Sequence, residues 1–182
     1  MPRCQWVSSD PLYQAYHDTE WGVPLHDERA LFELLILEGF QAGLSWITIL
    51  RKREDFRSTF ENFDYKKLAN WTDEQLELAL QNPKIVKNRL KVYSVRANAI
   101  AFLQIQEKFG SFEHYIWEFV NFQPIKNHFQ SFNELPAQTD LSVRISKSLK
   151  KQGFNFVGPT IVYSFMQAAG LVNDHTQTCD LY

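Results

Sequence analysis

Cysteine is scarce in this sequence, which has only two among its 182 residues, Cys4 and Cys179. Two cysteines are too few for the disulfide framework that holds small secreted domains together. Long apolar runs are also missing, so no segment is predicted to cross a membrane. The first ten residues lack the apolar stretch of a secretory signal. We therefore expect a cytoplasmic protein.

An excess of charge of one sign is lacking as well, since the formal net charge is -2. This charge balance excludes a generic polyanion binder. Binding to DNA would need positively charged residues clustered on one face of the protein. The basic residues between positions 84 and 96 are candidates for such a face, although they would equally suit an ordinary solvated helix surface: Lys84, Lys87, Arg89, Lys91 and Arg96.

Aromatic residues are plentiful, at 15% of the chain with fifteen Phe and five Trp. Most of them are expected in a core, and the rest can stack on a flat ligand. The length suits a single domain over residues 1–182 with two lobes, and we expect it to act as a monomer.

Helical periodicity with helix start and stop signals runs through almost the whole chain, and strand-like alternation is short wherever it occurs. The predicted fold class is therefore all-α. Residues 123–139 are expected to form a loop, because they contain two prolines and many amides. The predicted helices start at Asp27, near Leu44 or Ser45, at a capping box on Thr72 and Gln75, at Val86, at Ser111, at Asp140 and at Gly158.

A glycine-bounded turn, Gly153-Phe-Asn-Phe-Val-Gly158, joins the last two predicted helices. Glycines permit conformations that bare backbone N–H groups, and the following helix directs its positive dipole end at the turn. Together these features suit a phosphate oxygen, with Lys147, Lys150 and Lys151 adding charge. The alternative is a plain corner between helices whose apolar residues lie in the core.

Cysteine and histidine recur at both ends of the chain, as Cys4 and His17 near the start and His175-x3-Cys179 near the end. Two thiolates and two imidazoles form a common closed tetrahedral zinc site, which would be structural because no position is left for water. Two alternatives stay open: a disulfide between the cysteines, or four unrelated residues.

The N-terminal third also collects aromatic residues around one acid, Glu38, which lies in an otherwise apolar helix end. A carboxylate there is costly without partners, so it either bonds to backbone donors or turns to solvent, or it belongs to a binding pocket. Flat rings can sandwich an extruded base, and a cationic ring gains further from Trp or Tyr faces. The candidate walls are Trp6, Tyr13, Tyr16, Trp21 and Trp46.

Three long segments resemble the 3-methyladenine DNA glycosylase I family: residues 3–24, 38–50 and 152–175. The resemblance extends from residue 3 to about residue 179. It implies monofunctional removal of 3-methyladenine from alkylated double-stranded DNA, with the free base as product. It also implies that Glu38, Tyr16 and Trp46 bind the base, with Trp6, Tyr13 and Trp21 as further wall candidates. One structural zinc ion would be held by Cys4, His17, His175 and Cys179, joining the two termini.

The turn near residues 150–160 is similar to the hairpin of helix-hairpin-helix DNA glycosylases, although four residues rather than one separate Gly153 from Gly158. This likeness implies the helix-hairpin-helix fold, with phosphate contacts from the two glycines and from Lys150 and Lys151. Many members of that superfamily carry a catalytic Asp about twenty residues later. The nearest match here is Asp174, which precedes His175 and is therefore a poor candidate, and the family resemblance implies that the usual Asp is missing.

Methylation at N3 makes adenine a cation that departs as a neutral base, so the leaving group needs no protonation. The enzyme's work is then to flip the nucleotide, hold the base and admit water to C1′. Leu44 is a candidate wedge for the gap in the duplex, or else begins the core face of the next helix. The competing functions are a DNA-binding module without chemistry, a glycosylase for another lesion such as 7-methylguanine, and a zinc hydrolase of small molecules.

Overall fold

A computed structural model describes residues 1–182 as nine α-helices, two single-turn 3-10 helices and two strands of two residues each. The all-α prediction is confirmed at this level. None of the helices combines the length and the apolar character that a membrane crossing needs. In chain order the elements are α1 Pro11–Thr19, α2 Glu28–Gln41, α3 Trp46–Thr59, the 3-10 turn Glu61–Phe63, α4 Tyr65–Leu68, α5 Asp73–Gln81, α6 Arg89–Phe109, α7 Phe112–Glu118, β1 Ile125–Lys126, the 3-10 turn Phe132–Glu134, α8 Asp140–Lys151, α9 Pro159–Ala168 and β2 Val172–Asn173.

Side-chain caps explain where most helices begin, because a cap oxygen accepts from backbone N–H groups that have no partner inside the helix. Asp27 accepts from Ala30 N at 2.9 Å at the start of α2, as its position in the sequence predicts. The capping box of Thr72 and Gln75 is present at the start of α5.

Two predicted helix starts are wrong by one to three residues. The helix predicted from Val86 begins at Arg89, because the Asn88 side chain caps it by accepting from Lys91 N. Asp140 is the first residue of α8 rather than its cap, since Thr139 accepts from Ser142 N and forms a capping box there. Serine can replace the usual Glu or Gln because its hydroxyl reaches back to Thr139 N at 2.9 Å.

The predicted loop at residues 123–139 is only partly a loop. Ile125 pairs in parallel with Val172, and Lys126 pairs with Asn173. The segment also contains the 3-10 turn that ends at Glu134. This short ladder ties the segment to the chain that follows α9, which runs on to the C-terminus.

The core is built around α2, whose residues from Leu31 to Phe40 are buried except for Leu34. The α8–α9 hairpin packs on this helix through α9. Contact is close at Gly39, where an added Cβ would lie 3.3 Å from Cβ of Phe156 in the hairpin turn. A smaller buried cluster lies apart from the main core, and its members come from both ends of the chain and from α3: Cys4, Tyr16, Trp21, Leu50, Ala168 and Cys179. The division into two lobes stays a prediction.

Candidate functional site

An aromatic pocket of about 180 Å³ opens beside this smaller cluster. Every wall residue predicted from the sequence lines it, and these residues come from the N-terminal segment, from α1 and the turn after it, and from the start of α3. The end of α2 contributes Glu38 and Gln41. The loop before α8 and one face of α9 complete it. The lining residues are Trp6, Tyr13, Tyr16, Trp21, Glu38, Gln41, Trp46, Phe132, Leu135, Ser164 and Gln167.

Glu38 is the one acid in the lining. Its side chain has no hydrogen-bond partner in the protein, and burial alone acts on its pKa. The residue is 3% exposed, so a solvated or backbone-bonded glutamate, the alternative interpretation from the sequence, is wrong. Burial raises the pKa of Glu38 to about 8, because an apolar surrounding disfavours the charged form. A ligand that carries positive charge would favour the ionised form.

The pocket walls are aromatic rings in mutual edge and tilted contact. The Trp6 ring lies 5.0 Å from the centroids of both Tyr13 and Trp21, and the Tyr16 ring lies 5.6 Å from that of Trp46. Burial, followed by the Glu38 charge, raises the pKa of Tyr16 well above its usual value, so the phenol keeps its proton. The indole Nε1 groups of Trp6 and Trp46 are buried without an acceptor in the protein. The site therefore offers flat apolar faces and unpaired polar atoms together.

The four predicted metal ligands are all buried and come together at the joined ends of the chain. Their ligand atoms lie within 4.8 Å of one another. Sγ of Cys179 is 3.6 Å from Nε2 of His17 and 3.5 Å from Nδ1 of His175, and Sγ of Cys4 is 3.5 Å from the same Nδ1. A tetrahedral zinc ion with ordinary bond lengths separates a thiolate from an imidazole nitrogen by about 3.5 Å. The cluster therefore fits one zinc ion.

The outer nitrogens of both histidines are fixed by acceptors, as is usual for metal ligands. Asp18 Oδ1 lies 2.8 Å from Nδ1 of His17, and Trp21 O lies 3.1 Å from Nε2 of His175. Arg3 Nε and Nη2 in turn donate to the Asp18 carboxylate. Both cysteines are free thiols, so the disulfide alternative is wrong.

The glycine-bounded turn leaves three successive backbone N–H groups, of Phe156, Val157 and Gly158, without an acceptor in the protein. Gly153 takes a φ of +101°, which favours glycine. The same argument is wrong for Gly158, whose φ of −61° suits any residue; the left-handed residue there is Phe156, at φ +56°. Lys147, Lys150 and Lys151 are exposed and form no ion pair in the structure.

Asn98 on α6 holds this turn from behind, which the sequence did not indicate. Its Oδ1 accepts from Asn155 N at 2.8 Å and its Nδ2 donates to Asn155 O at 3.1 Å. Ser146 Oγ also donates to Val157 O at 2.6 Å. These bonds fix the turn so that the unpaired N–H groups stay available.

Leu44 lies outside α3 and is 39% exposed, so the alternative that it begins the core face of that helix is wrong. Lys91 is buried rather than part of a basic face, and its Nζ donates to Phe40 O and Ala42 O at 3.1 and 3.0 Å. Arg89 and Arg96 pair with Glu77 and Asp73. The basic face considered from the sequence is therefore largely neutralised or buried.

Asp174 is 1% exposed, and its carboxylate accepts from Tyr163, Gln167 and Asn127. It lies within the protein, which agrees with its exclusion as a catalytic acid. Ser164 and Gln167, one turn apart in α9, were missed as pocket residues. Two polar residues at that spacing in an otherwise apolar helix are a signal that one helix face meets something other than core.

Aromatic walls around one unpaired acid are suited to a planar, electron-poor ligand. The fold and the pocket together therefore define a helical protein that binds a planar, electron-poor base. Sequence comparison then assigns the family. A model of the methyladenine glycosylase family matches residues 6–182, so the chain belongs to that family. The resemblance to 3-methyladenine DNA glycosylase I is thereby confirmed.

Relatives of known name and structure agree with this family assignment. DNA-3-methyladenine glycosylase 1 of Escherichia coli (strain K12) is 50% identical over 182 residues, covering 100% of this chain and 97% of that protein. A crystal structure of 3-methyladenine DNA glycosylase I is 50% identical, with a TM-score of 0.97 and full coverage of both chains. A variant of such an enzyme in complex with 3-methyladenine is 38% identical, with a TM-score of 0.96 and coverage of 99% and 97%.

Proposed function

We propose that this chain hydrolyses the N-glycosidic bond of 3-methyladenine in alkylated double-stranded DNA and releases the free base. The observation that carries this proposal is the unpaired Glu38 carboxyl group inside an aromatic pocket. An adenine methylated at N3 is a cation with an exocyclic amino group. It therefore matches the acid by charge and by hydrogen bonding, and it matches the aromatic walls by shape and by cation–π attraction.

The chemistry asked of the protein is modest, since the leaving group is already cationic and departs as a neutral base. The nucleotide must first leave the stack, at a cost of a few kcal/mol that is smaller for a poorly paired lesion. In the pocket, Glu38 accepts from the amino group while Tyr16 and Trp46 pack on the ring. Water then attacks C1′ as sugar cation character develops, and the neighbouring DNA phosphates stabilise that charge. Asp174 does not act on the sugar, because its carboxylate is bonded to three internal donors.

We propose that DNA contacts the glycine-bounded turn between α8 and α9 and the loop after α2, and the helix-hairpin-helix fold stays a prediction. The free N–H groups at 156–158 and the α9 N-terminus bind a phosphate oxygen, and Gly153 gives the turn its shape. Lys150 and Lys151 add charge from the exposed end of α8. Leu44 fills the gap that the flipped nucleotide leaves, because it is an exposed apolar residue on a tight loop that joins the helices of Glu38 and Trp46.

One structural zinc ion bound by Cys4, His17, His175 and Cys179 completes the proposal. The ion would hold the two ends of the chain together next to the pocket, and four protein ligands leave it no position for water. Elemental analysis of the purified protein should find about one zinc per chain. A metal-free protein with the same melting temperature would contradict the assignment. The cytoplasmic location and the monomeric state remain predictions.

Mass spectrometry of the bases released from methylated duplex DNA tests the proposed activity. The wild-type chain should release 3-methyladenine, and Glu38→Gln should release it at least about tenfold more slowly, because a hydrogen bond to a charged group is lost. Glu107→Gln is the matched control, since it removes an exposed acid from α6 and should leave the rate unchanged. Binding of alkylated DNA without base release would instead identify a non-catalytic DNA-binding module. Release of 7-methylguanine alone would identify another lesion as the substrate.

A further inference from the structure

A buried acceptor controls the orientation of one amide in the pocket. Gln167 lines the pocket from α9, and its Nε2 donates to Asp174 Oδ2 at 2.9 Å. The same Asp174 oxygen accepts from Tyr163 Oη at 2.5 Å, and Oδ1 accepts from Asn127 Nδ2 at 2.7 Å. Burial, with the Asp174 bond next, raises the pKa of Tyr163 far above its usual range, so the phenol keeps the proton that it donates.

Tyr163 and Asn127 already donate to the Asp174 carboxylate, so this side chain is the acceptor in the network, whichever way the Gln167 amide is turned. An amide can present either its NH2 or its oxygen to a neighbour, and the hydrogen-bond network decides which. If Gln167 turned over, its Oε1 would face Asp174 Oδ2 as a second acceptor at hydrogen-bond distance. The NH2 group must consequently face Asp174, which leaves Oε1 without a partner in the protein.

An acceptor held in this way distinguishes purines by what they carry at position 6. Adenine has an amino group there, which donates, whereas guanine has a carbonyl oxygen, which only accepts. A fixed acceptor in the pocket pairs with the first and opposes the second. Sites that hydrogen-bond a substrate group discriminate strongly, because a mismatched ligand leaves buried polar atoms unpaired.

We propose that Gln167 contributes to the base specificity of this site by presenting Oε1 to the 6-amino group of adenine, and that Asp174 is the positioning residue that fixes its amide. The proposal rests on the proposed function, and it deepens it by adding to Glu38 a second residue that selects adenine over guanine. Glu38 accepts one hydrogen of the 6-amino group and balances the positive charge that both N3-methylated purines carry, and Gln167 Oε1 accepts the other hydrogen of that group.

The test compares release of 3-methyladenine and 3-methylguanine from methylated duplex DNA, quantified together by mass spectrometry. Both bases carry a methyl group and a positive charge at N3. The ratio of their release rates therefore measures how the pocket recognises the other substituents of the purine. Gln167→Met keeps the length of the side chain without its amide, and it should narrow the ratio by roughly tenfold, the effect of one mismatched buried acceptor. Asp174→Asn can donate as well as accept, so it frees Gln167 to turn over and should narrow the ratio similarly.

Two further variants separate positioning from a general structural effect. Tyr163→Phe removes a different bond to Asp174 but leaves the Gln167 bond in place, so its ratio should stay at the wild-type value even if both rates fall. The double variant of Asp174→Asn and Gln167→Met should show no narrowing beyond Gln167→Met alone, since both changes act through the same oxygen.

If Gln167→Met releases the two bases in the wild-type rate ratio, the specificity role of Gln167 is overturned. This test does not depend on whether any Asp174 variant folds. Equal narrowing by Tyr163→Phe, or additive effects in the double variant, would overturn the positioning role of Asp174. A wild-type chain that releases neither base would contradict the proposed function itself, which is a separate outcome from an unchanged ratio in a working enzyme.

Discussion

Replacing Glu38 by glutamine should make the folded protein more stable, by an amount that grows with pH. The pKa of Glu38 is raised by burial from 4.5 to about 8. Below pH 4.5 the acid is protonated in both the folded and the unfolded chain, and it costs nothing. As pH rises towards 8, the unfolded chain ionises Glu38 freely while the folded chain must keep it protonated or bury its charge.

The size of this effect follows from the two pKa values. Each pKa unit is equivalent to about 1.4 kcal/mol, so the cost of Glu38 is about 1 kcal/mol at pH 5, about 3 kcal/mol at pH 7 and about 4 kcal/mol at pH 8. The free energy of unfolding of Glu38→Gln should therefore exceed that of the wild type by a gap that widens by about 3 kcal/mol between pH 5 and pH 8. For a urea m-value of about 2 kcal/mol/M, this widening is about 1.5 M in the unfolding midpoint.

Urea unfolding followed by far-UV circular dichroism at several pH values measures the gap directly. Glu107→Gln serves as the control, because its side chain is exposed and its gap should be small at every pH. A constant gap between wild type and Glu38→Gln across the range would refute the reasoning, since it would mean that the acid is not held in a surrounding that disfavours its charge.

Four other variants test separate parts of the account. Cys179→Ser should lower the free energy of unfolding by about 2–4 kcal/mol while the folded fraction keeps its activity; lost activity at an unchanged melting temperature would indicate a catalytic metal. Lys91→Met should slow base release, because the carbonyls of Phe40 and Ala42 lose their donor and the loop after α2 loosens; an unchanged rate in stopped-flow turnover would contradict this. Asn98→Ala should weaken binding to undamaged duplex about tenfold, since the turn loses two bonds, whereas equal affinity by fluorescence anisotropy would separate the turn from DNA. Leu44→Ala should slow release from duplex DNA and leave binding of free 3-methyladenine unchanged in calorimetry; weaker free-base binding would contradict the wedge role.

Much of this site was predictable, because its chemistry resides in residue types that are rare elsewhere in the chain. The two cysteines and the H-x3-C spacing indicated the metal cluster, although His17 in its first half lies 158 residues before His175 in its second half. Glu38 was conspicuous because an acid in an apolar helix end is costly. The helix starts capped by Asp27 and Thr72 were equally readable, because an apolar helical pattern begins within four residues of each cap.

What sequence patterns missed depends on contacts between distant segments. The Ile125–Val172 ladder is two residues long and has no periodicity of its own. Asn98 and Asp174 act through bonds to a turn and to an amide that only the fold brings near. Lys91 has the local setting of a solvated helix lysine, and its burial follows from the position of the end of α2. Polar residues inside helices are ambiguous in this way. The helical periodicity shows which face of the helix they lie on, but not which other segment packs against that face.

Titration of 3-methyladenine into the wild-type chain and Glu38→Gln, followed by quenching of the pocket tryptophans, tests the central claim most directly. That claim is that one buried acid among aromatic walls selects the base. The wild type should bind saturably, and Glu38→Gln should bind about tenfold to a hundredfold more weakly, the difference expected from one hydrogen bond to a charged group. Equal affinity of the two proteins would show that the base lies elsewhere and would contradict the account.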